Sequence, residues 1–304
     1  MKFIETTNRE NSEVIQLCYE DYGKGKPVVL LHGWPLCKEM WEYQLDVLVS
    51  AGLRVITYDR RGFGNSSKPW NGYDYDTLAD DLNTVLDKLD LQDVTLVCFS
   101  MGGGEMARYC SRHGGKRVNS IILVSSILPY LLQTEDNPDG VTEEHLNSML
   151  KQVQEDRINF LDEFGRHFFG ADFFNHPLRH PLMEYYRMLG SLASPRATKE
   201  CMKAFVYTDF REDMKAINMP VLIIHGDADK TVPINASSRK AAELIADTQF
   251  VLYEGAPHGL FYTEKNRLCQ DIISFVTTGK AATNNISDKV YSILPSNEGL
   301  ITRD

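Results

Sequence analysis

The sequence lacks three features, each of which would indicate a particular class of protein. No apolar run in its 304 residues reaches the roughly 18 residues that a membrane-spanning helix needs. There is no dense block of lysine and arginine, and the formal net charge is −10, so phosphate binding to nucleic acid is not expected. The first residues carry acids and amides too early for a secretory signal. We therefore expect a cytoplasmic protein with neither a membrane nor a nucleic-acid partner.

Cysteines with metal-binding spacing are lacking as well. The six cysteines stand at positions 18, 37, 98, 110, 201 and 269, and none forms a C-x-x-C pair. Scattered cysteines of this kind are typical of free thiols in a reducing compartment. We therefore expect no metal site built from these cysteines. Cys98 lies inside an apolar segment, so we interpret it as a buried, inert thiol rather than a nucleophile.

Short buried segments alternate with helical segments along a chain of ordinary globular composition, 43% hydrophobic and 24% charged. The pattern predicts eight strands: an antiparallel pair within residues 2–20, then Val28–Leu31, Arg54–Tyr58, Val94–Phe99, Val118–Val124, Val221–His225 and Thr248–Tyr253. This alternation predicts an α/β fold with a doubly wound, mainly parallel sheet. Ligands of such sheets bind at the carboxyl ends of the strands.

The longest interval between strands is helical and rich in aromatic residues. We predict that residues 128–217 form a helical cap inserted into a core made of residues 1–127 and 218–276. Most of the cap aromatics should pack it against the core, and a minority should line a pocket; they are Phe160, Phe164, Phe168, Phe169, Phe173, Phe174, Tyr185 and Tyr186. The polar tail, residues 277–304, is either flexible or docked as an arm through Val290, Tyr291, Ile293 and Leu294.

A serine stands where the buried strand Val94–Phe99 meets a helical segment. The sequence C-F-S-M-G-G-G places Ser100 at this junction and glycines at positions 102 to 104. The arrangement predicts a nucleophile elbow, a sharp turn that projects the serine above the sheet, although Cys98 occupies the position where the motif usually has glycine. The helix that follows should place the Met101 amide beside an oxyanion formed at Ser100.

A serine hydroxyl needs a base, and that base needs an orienting acid. Asp227 and Asp229 follow the strand Val221–His225, and His258 follows the last predicted strand, so the order is Ser, Asp, His. In hydrolases with a nucleophile elbow, the acid typically stands three positions after the glycine that ends the strand. Gly226 is that glycine here, so we choose Asp229 as the acid. Asp227 is better interpreted as a carboxylate that bonds backbone amides in the turn.

Two further histidines, His32 and His225, are weaker candidates for the base. Each stands at a strand end beside a glycine, where a structural hydrogen bond is the better interpretation. The loop H-G-W-P that begins at His32 should supply the second oxyanion donor, the backbone amide of Trp34. Pro35 cannot donate and restricts Trp34 to extended geometry, which stiffens this loop.

These motifs together resemble the cofactor-free haloperoxidase, perhydrolase and aryl esterase group of the α/β-hydrolases. The resemblance covers roughly residues 12–276. It is carried by H-G-W-P-L at 32–36, M-W-E-Y-Q at 40–44, Y-D-R-R-G-F-G-N-S-S at 58–67, F-S-M-G-G-G-E-M-A-R-Y at 99–109, E-C-M-K-A-F at 200–205, T-D-F-R-E-D at 208–213, H-G-D-A-D-K-T-V-P-I at 225–234 and Y-E-G-A-P-H-G-L at 253–260. Cys98 and the tail beyond Val276 depart from the pattern of the group.

The resemblance implies a serine hydrolase that acts on small carboxylic esters through an acyl-enzyme, with Ser100, His258 and Asp229 as catalytic residues and no metal or haem. It also implies perhydrolase activity, in which hydrogen peroxide and a carboxylic acid give a peracid that oxidises halide. In this group a proline beside the oxyanion residue tends to accompany perhydrolysis, and Pro35 stands there. A lactonase or carbon–carbon bond hydrolase with the same triad, and a non-catalytic receptor on the same scaffold, are the alternatives. Homo-oligomerisation is left open.

Overall fold

The computed structural model describes residues 1–172 and 174–282 and the backbone of 290–291. Within these residues, nine strands form one sheet: β1 (Lys2–Thr7), β2 (Val14–Tyr22), β3 (Pro27–Leu31), β4 (Arg54–Tyr58), β5 (Val94–Phe99), β6 (Val118–Val124), β7 (Val221–Gly226), β8 (Thr248–Tyr253) and β9 (Val290–Tyr291). The helices are α1 (Glu42–Ser50), α2 (Tyr75–Lys88), α3 (Gly102–His113), α4 (Glu143–Phe168), α5 (His180–Ser191), α6 (Pro195–Tyr207), α7 (Arg211–Met214), α8 (Ser238–Leu244), α9 (Leu260–Thr263) and α10 (Lys265–Thr278).

The strands lie in the order β1-β2-β4-β3-β5-β6-β7-β8-β9. β1 pairs antiparallel with β2, and β2 pairs antiparallel with β4, whereas all the pairings from β4 through β8 are parallel. Buried apolar side chains form one cluster on each face of the sheet, covered by helices. The predicted α/β fold, with eight strands in a mainly parallel sheet, is confirmed.

Local sequence explains the central elements of the sheet. All six residues of β5 are buried, which fits a continuous apolar run between two neighbouring parallel strands. The preceding helix, α2, begins after Asp74, whose side chain accepts a hydrogen bond from the Thr77 amide at 2.9 Å. β5 is therefore held in the middle of the sheet, and its carboxyl end carries Ser100.

Four helices, α4 to α7, lie between β6 and β7, in the segment predicted to form a cap. The longest of them, α4, is kinked at Asp156, whose φ of −151° is not helical and whose side chain accepts from the Asn159 amide at 3.0 Å. Phe168 at its end is buried, while Phe174 is 92% exposed; Phe173 lies outside the described residues. The domain boundaries at residues 127/128 and 217/218 stay a prediction.

The carboxyl-terminal region differs in one detail from the sequence prediction. Two helices, α9 and α10, follow β8 and are separated at Glu264, whose φ is −114°. The two-residue strand β9 pairs antiparallel with β8, which adds a ninth strand that was not predicted. The rest of the tail beyond residue 282 lies outside the described residues. In the part of the chain that is described, no helix has the length and apolar character needed to cross a bilayer.

Candidate active site

The turn between β5 and α3 holds Ser100 in a strained conformation. Its φ is +54°, in the left-handed region that non-glycine residues rarely adopt. The Ser100 amide donates to the Val124 carbonyl at 3.0 Å, and the Gly103 amide donates to the Ser100 carbonyl at 3.1 Å. A Cβ atom on Gly103 would lie 2.0 Å from the Oγ of Ser126, so the turn requires glycine there. The local geometry is that of a nucleophile elbow.

The structure brings together the three side chains that the sequence analysis selected for the triad. The Nε2 of His258 lies 3.1 Å from the Oγ of Ser100, and its Nδ1 lies 2.7 Å from the Oδ2 of Asp229. Each residue follows a parallel strand: Ser100 follows β5, Asp229 follows β7 and His258 follows β8. All three are buried, with 6% or less of their surface exposed. The chain of hydrogen bonds therefore runs from a carboxylate through an imidazole to a hydroxyl.

Three hydrogen bonds and one close contact from a second histidine converge on the carboxylate of Asp229. Its Oδ1 accepts from the backbone amides of Thr231 at 2.9 Å and Val232 at 2.8 Å. Its Oδ2 faces both His258 at 2.7 Å and His225 at 3.1 Å. Burial acts to raise the pKa of this carboxyl, but the charge of His258 and the hydrogen bonds from both histidines outweigh it, so the pKa lies below its ordinary value. Asp229 is therefore an anion at neutral pH.

Aromatic rings hold the imidazole of His258 on two sides. The Phe99 ring lies 5.0 Å from it, centroid to centroid, and the Phe168 ring packs edge-on at 4.7 Å. The amide of Gly259, the next residue along the chain, donates to the Phe168 carbonyl at 2.9 Å. Phe168 is the last residue of α4, so this helix contacts the candidate base through both its backbone and a side chain.

The two backbone amides expected to form an oxyanion hole lie on loops beside Ser100. Trp34 follows β3, which is the neighbour of β5, and Met101 directly precedes α3. In the described part of the chain, neither amide donates a hydrogen bond to another protein group. The Trp34 side chain is anchored elsewhere, because its indole Nε1 donates to the Thr198 carbonyl at 2.9 Å. Both amides are thus available as hydrogen-bond donors, and their part in an oxyanion hole stays a prediction.

His32 supports the peptide group that carries the Trp34 amide. Its Nε2 accepts from the Arg60 amide at 3.0 Å, so its Nδ1 carries the hydrogen and donates to the Gly33 carbonyl at 3.0 Å. Burial and the nearby Arg60 guanidinium hold the pKa of His32 well below its ordinary value. His32 is therefore a neutral hydrogen-bonding group and lies apart from the triad.

A cavity of about 250 Å³ opens over Ser100 and His258. Its wall is mainly apolar and is formed by both halves of α4, by α6 and by the loop after β6; it includes Ile127, Leu146, Met149, Phe160, Phe164, Met202 and Phe205. Polar side chains from α4 and from the loop after Asp229 also line it, namely His145, Gln152, Glu163, His167 and Lys230. The arrangement can hold an apolar acyl group with its carbonyl beside Ser100.

Two other residues from the sequence analysis lie near the triad without joining it. The Oδ1 of Asp227 accepts from the Gly255 amide at 2.6 Å, which ties the Asp229 loop to the His258 loop. The side chain of Cys98 is fully buried in β5, and burial raises the pKa of its thiol well above the ordinary value. Neither geometry suits a nucleophile or base.

One group among the described residues, Cys37, Glu39 and Asp59, places three ligand-type atoms within 4.8 Å of one another. These atoms are already engaged, since the Lys38 ammonium pairs with Glu39, and the two Asp59 oxygens accept the Lys38 and Asn65 amides at 2.8 Å. Burial also raises the pKa of the Cys37 thiol, which keeps it protonated. These residues do not fit a metal ion.

Sequence reasoning missed two supports of the site. The contact of His225 with Asp229 was not anticipated, although a histidine placed four positions before the acid in H-G-D-A-D was a signal for it. The packing of Phe168 on His258 could not be distinguished from that of the other cap aromatics, because it depends on where α4 ends.

Comparison with known proteins shows the family to which the chain belongs. Residues 26–265 match the family model described as the alpha/beta hydrolase fold. Over 264 residues, which are 86% of this chain and 96% of the relative, the sequence is 41% identical to the non-heme chloroperoxidase CPO-A1 of Kitasatospora aureofaciens. It is 35% identical to the bifunctional esterase/perhydrolase DCH of Acinetobacter calcoaceticus, over 86% of this chain and 96% of that one. The bromoperoxidase structure from Bacillus anthracis superimposes with a TM-score of 0.86 at 44% identity, covering 91% of this chain and 99% of that chain.

The chain therefore belongs to the α/β-hydrolase family, and its resemblance to the non-heme haloperoxidase group of that family is confirmed. It is a hydrolase-type enzyme by descent. What it acts on depends on the site itself.

Proposed function

We propose that the protein is a serine esterase that also performs perhydrolysis of small carboxylic acids, with Ser100, His258 and Asp229 as its catalytic residues. The observation that carries this proposal is the continuous hydrogen-bonded path from Asp229 through His258 to Ser100, with distances of 2.7 and 3.1 Å. The names of the relatives, among them an esterase/perhydrolase, support the same chemistry.

In the first half of the reaction, Ser100 attacks the acyl carbonyl of the ester. His258 takes the serine proton while the new C–O bond forms, and the Trp34 and Met101 amides stabilise the oxyanion. The tetrahedral intermediate then breaks its bond to the alcohol oxygen. That oxygen receives the proton from His258, so the alcohol leaves neutral and the acyl group remains on Ser100.

In the second half, His258 removes a proton from the incoming nucleophile, which attacks the acyl-enzyme. Water yields the carboxylic acid and hydrogen peroxide yields the peracid; in both cases Ser100 regains its proton. Pro35, beside the Trp34 donor, is the feature of this chain that favours the peroxide reaction. The peracid formed oxidises halide in solution, which would account for the haloperoxidase names of the relatives.

The cavity favours an apolar acyl group larger than acetyl. Its volume is about 250 Å³, whereas about 10 to 15 Å³ of cavity volume is enough to hold one water molecule. In this proposal, residues 128–217 act as the cap whose helices enclose the acyl chain. We also keep as proposals the cytoplasmic location and the absence of a nucleic-acid partner, to be checked by cell fractionation and by filter binding at low salt.

The test is a paired assay of the purified protein: hydrolysis of p-nitrophenyl acetate, and peroxide-dependent bromination of monochlorodimedone in acetate buffer. Both activities are expected, and Ser100→Ala is expected to lower both by about 10⁴-fold or more. Ser111→Ala, on the same helix α3, is the matched control and should leave both activities unchanged. If Ser100→Ala retains near-native hydrolysis, the proposal is wrong. Hydrolysis without bromination would leave an esterase or lactonase and remove the perhydrolase part.

A further inference from the structure

His225 is a fully buried histidine that the proposed reaction does not use. It lies in β7 just before the loop that carries Asp229. Its Nε2 is 3.1 Å from the Oδ2 of Asp229 and 3.0 Å from the Val232 carbonyl oxygen. Its Nδ1 is 2.7 Å from the hydroxyl of Ser238 at the start of α8. Both neighbours of Nε2 are acceptors, so Nε2 carries a hydrogen. This hydrogen is donated to the Val232 carbonyl, and the Oδ2 of Asp229 lies beside it at ion-pair distance.

We propose that His225 is a positioning residue for the acid of the triad, acting through the oxygen of Asp229 that also accepts from His258. Its Nε2–H is shared between the Val232 carbonyl and this Oδ2, so it fixes the place of Oδ2 and takes up part of its negative charge. The inference deepens the proposed serine-hydrolase function and rests on it. Ser238 has a supporting role, because its hydroxyl sets the orientation of the His225 ring from a neighbouring helix.

The carboxylate needs this second donor because of how its two oxygens are bonded. Oδ1 is fixed by two rigid backbone amides, whereas Oδ2 has only side-chain partners, the two histidines. During the reaction His258 alternates between a neutral ring and an imidazolium, so its attraction for Oδ2 changes. A constant donor on the other side keeps Oδ2 in place through both halves of the cycle.

The shared oxygen also links His225 to the protonation of His258. Without the donor at His225, the full charge of Oδ2 is directed at His258 and stabilises its imidazolium form. A larger fraction of the enzyme then has a protonated base, so the acid limb of the rate profile moves to higher pH. The two histidines are the titratable groups that face the Asp229 carboxylate among the described residues; the carboxylate of Asp227 turns to the Gly255 amide, and Lys230 is exposed.

The experiment compares two substitutions of similar size. His225→Leu removes the donor, whereas His225→Gln offers an amide nitrogen near the position of Nε2. Each folded variant is assayed for kcat and KM across pH with a p-nitrophenyl ester, and for the rate at which a fluorophosphonate probe labels Ser100. Circular dichroism and Tm establish that each variant is folded.

For His225→Leu we expect kcat to fall by about 10- to 100-fold with little change in KM. Its acid limb should move up by about one pH unit, and fluorophosphonate labelling should slow with kcat. His225→Gln should recover most of kcat and return the limb toward its native position. The matched control is His113→Leu on α3, which breaks a histidine–aspartate contact of 2.7 Å with Asp80 far from the triad and should leave the pH profile unchanged.

The proposal is overturned if folded His225→Leu keeps the native kcat and pH profile. It is also overturned if both variants lose activity equally at every pH together with Tm, because that is the behaviour of a purely structural residue. If His225→Leu does not fold, the Ser238→Ala variant is assayed in its place. The acid limb of its pH–rate profile moves to higher pH if the proposal holds and stays in its native position if the proposal is wrong. A native protein that Ser100-directed fluorophosphonate never labels would instead refute the proposed function, and this inference with it.

Discussion

The guanidinium of Arg60 is paired with the carboxylate of Glu105 beneath the oxyanion loop, with Nε 2.7 Å from Oε2. Neither side chain is more than 1% exposed. The same guanidinium donates to the His32 carbonyl at 2.9 Å, and Glu105 lies in the first turn of α3, just after the elbow. One ion pair thus joins the loop that carries the Trp34 amide to the helix that follows Ser100.

Removing the carboxylate should strongly destabilise the protein. Glu105→Leu leaves Arg60 as a buried charge without its carboxylate partner, so we expect the free energy of unfolding to fall by about 3 to 5 kcal/mol. Urea denaturation followed by circular dichroism measures the change. Asp162→Ala removes the partner of an exposed i,i+4 pair with Arg166 and should cost less than about 0.5 kcal/mol. A Glu105→Leu cost as small as that of the control would show that the pair does not hold the loop.

The elbow should not tolerate a side chain at position 103. In Gly103→Ala the new Cβ meets the Oγ of Ser126 at 2.0 Å, so the turn must shift. We expect a loss of about 1 to 3 kcal/mol in stability together with a lower kcat, because the Met101 amide moves with the turn. Urea denaturation and ester hydrolysis on the same preparation measure both effects.

Two companion variants separate this clash from a general effect of adding a methyl group. Gly165→Ala, inside α4, places its Cβ at an ordinary 3.8 Å from Met183 and should stabilise the protein by up to about 1 kcal/mol. Adding Ser126→Ala to Gly103→Ala removes the clashing oxygen and should restore part of the loss. Equal effects of the alanines at 103 and 165 would rule out the clash.

Acid should destabilise the protein partly through His32. The folded state depresses the pKa of this histidine, so below its unfolded value of about 6.5 the unfolded chain binds a proton that the native chain does not. Above about pH 6.5, His32 is neutral in both states and does not change the free energy of unfolding. Below that pH, the free energy of unfolding declines by up to about 1.4 kcal/mol per pH unit. Urea denaturation between about pH 7.5 and 5.5 should give a shallower pH dependence for His32→Gln than for the native protein.

The control for this measurement is a histidine without such burial. His176 is exposed, and His176→Gln should leave the pH dependence of the unfolding free energy as it is in the native protein. Parallel curves for native protein and His32→Gln would contradict the account given for His32.

The cavity predicts a preference in acyl chain length. With p-nitrophenyl esters from acetate to decanoate, kcat/KM should peak at about four to eight carbons, because each buried methylene contributes about 0.8 kcal/mol until the cavity is full. Met149→Trp, on the α4 wall, should move the peak to shorter chains and leave acetate hydrolysis nearly unchanged. Steady-state kinetics on the ester series gives both values.

Met188→Trp is the matched control for the pocket substitution. Met188 lies on α5, is 44% exposed and does not line the cavity, so this variant should keep the native chain-length profile. A profile that is flat in the native protein would mean that the acyl chain lies elsewhere.

The fold was predictable because each strand of the parallel sheet is a short apolar run that the sequence alone reveals. β5 and β7 are continuous buried runs, and such runs between helical segments leave few arrangements other than a parallel sheet. The placement of Ser100, Asp229 and His258 followed for the same reason: parallel strands end at a common edge, so residues after three of them must come close.

The residues that support the triad and line the cavity were less predictable, because their contacts depend on how neighbouring helices and strands are oriented. The Nε2 of His225 lies 3.1 Å from Asp229, and its ring is oriented by Ser238 at the start of α8. Both contacts follow from the path of α8 beside β7. The wall of the cavity depends on the kink at Asp156, since both halves of α4 line it. No periodicity in the sequence specified that bend. The ninth strand was also missed, because two residues form too short a pattern.

The attachment of α4 to His258 has a consequence for heat inactivation. The Gly259 amide bonds the Phe168 carbonyl, and the Phe168 ring lies on the imidazole. We therefore expect loosening of this helix end to release the candidate base before the strands of the sheet separate. Activity should therefore disappear at a lower temperature than the cooperative loss of sheet structure, and cooling should restore it as long as the sheet is intact. We therefore expect the upper temperature limit of activity to be set by this helix end rather than by the melting of the core.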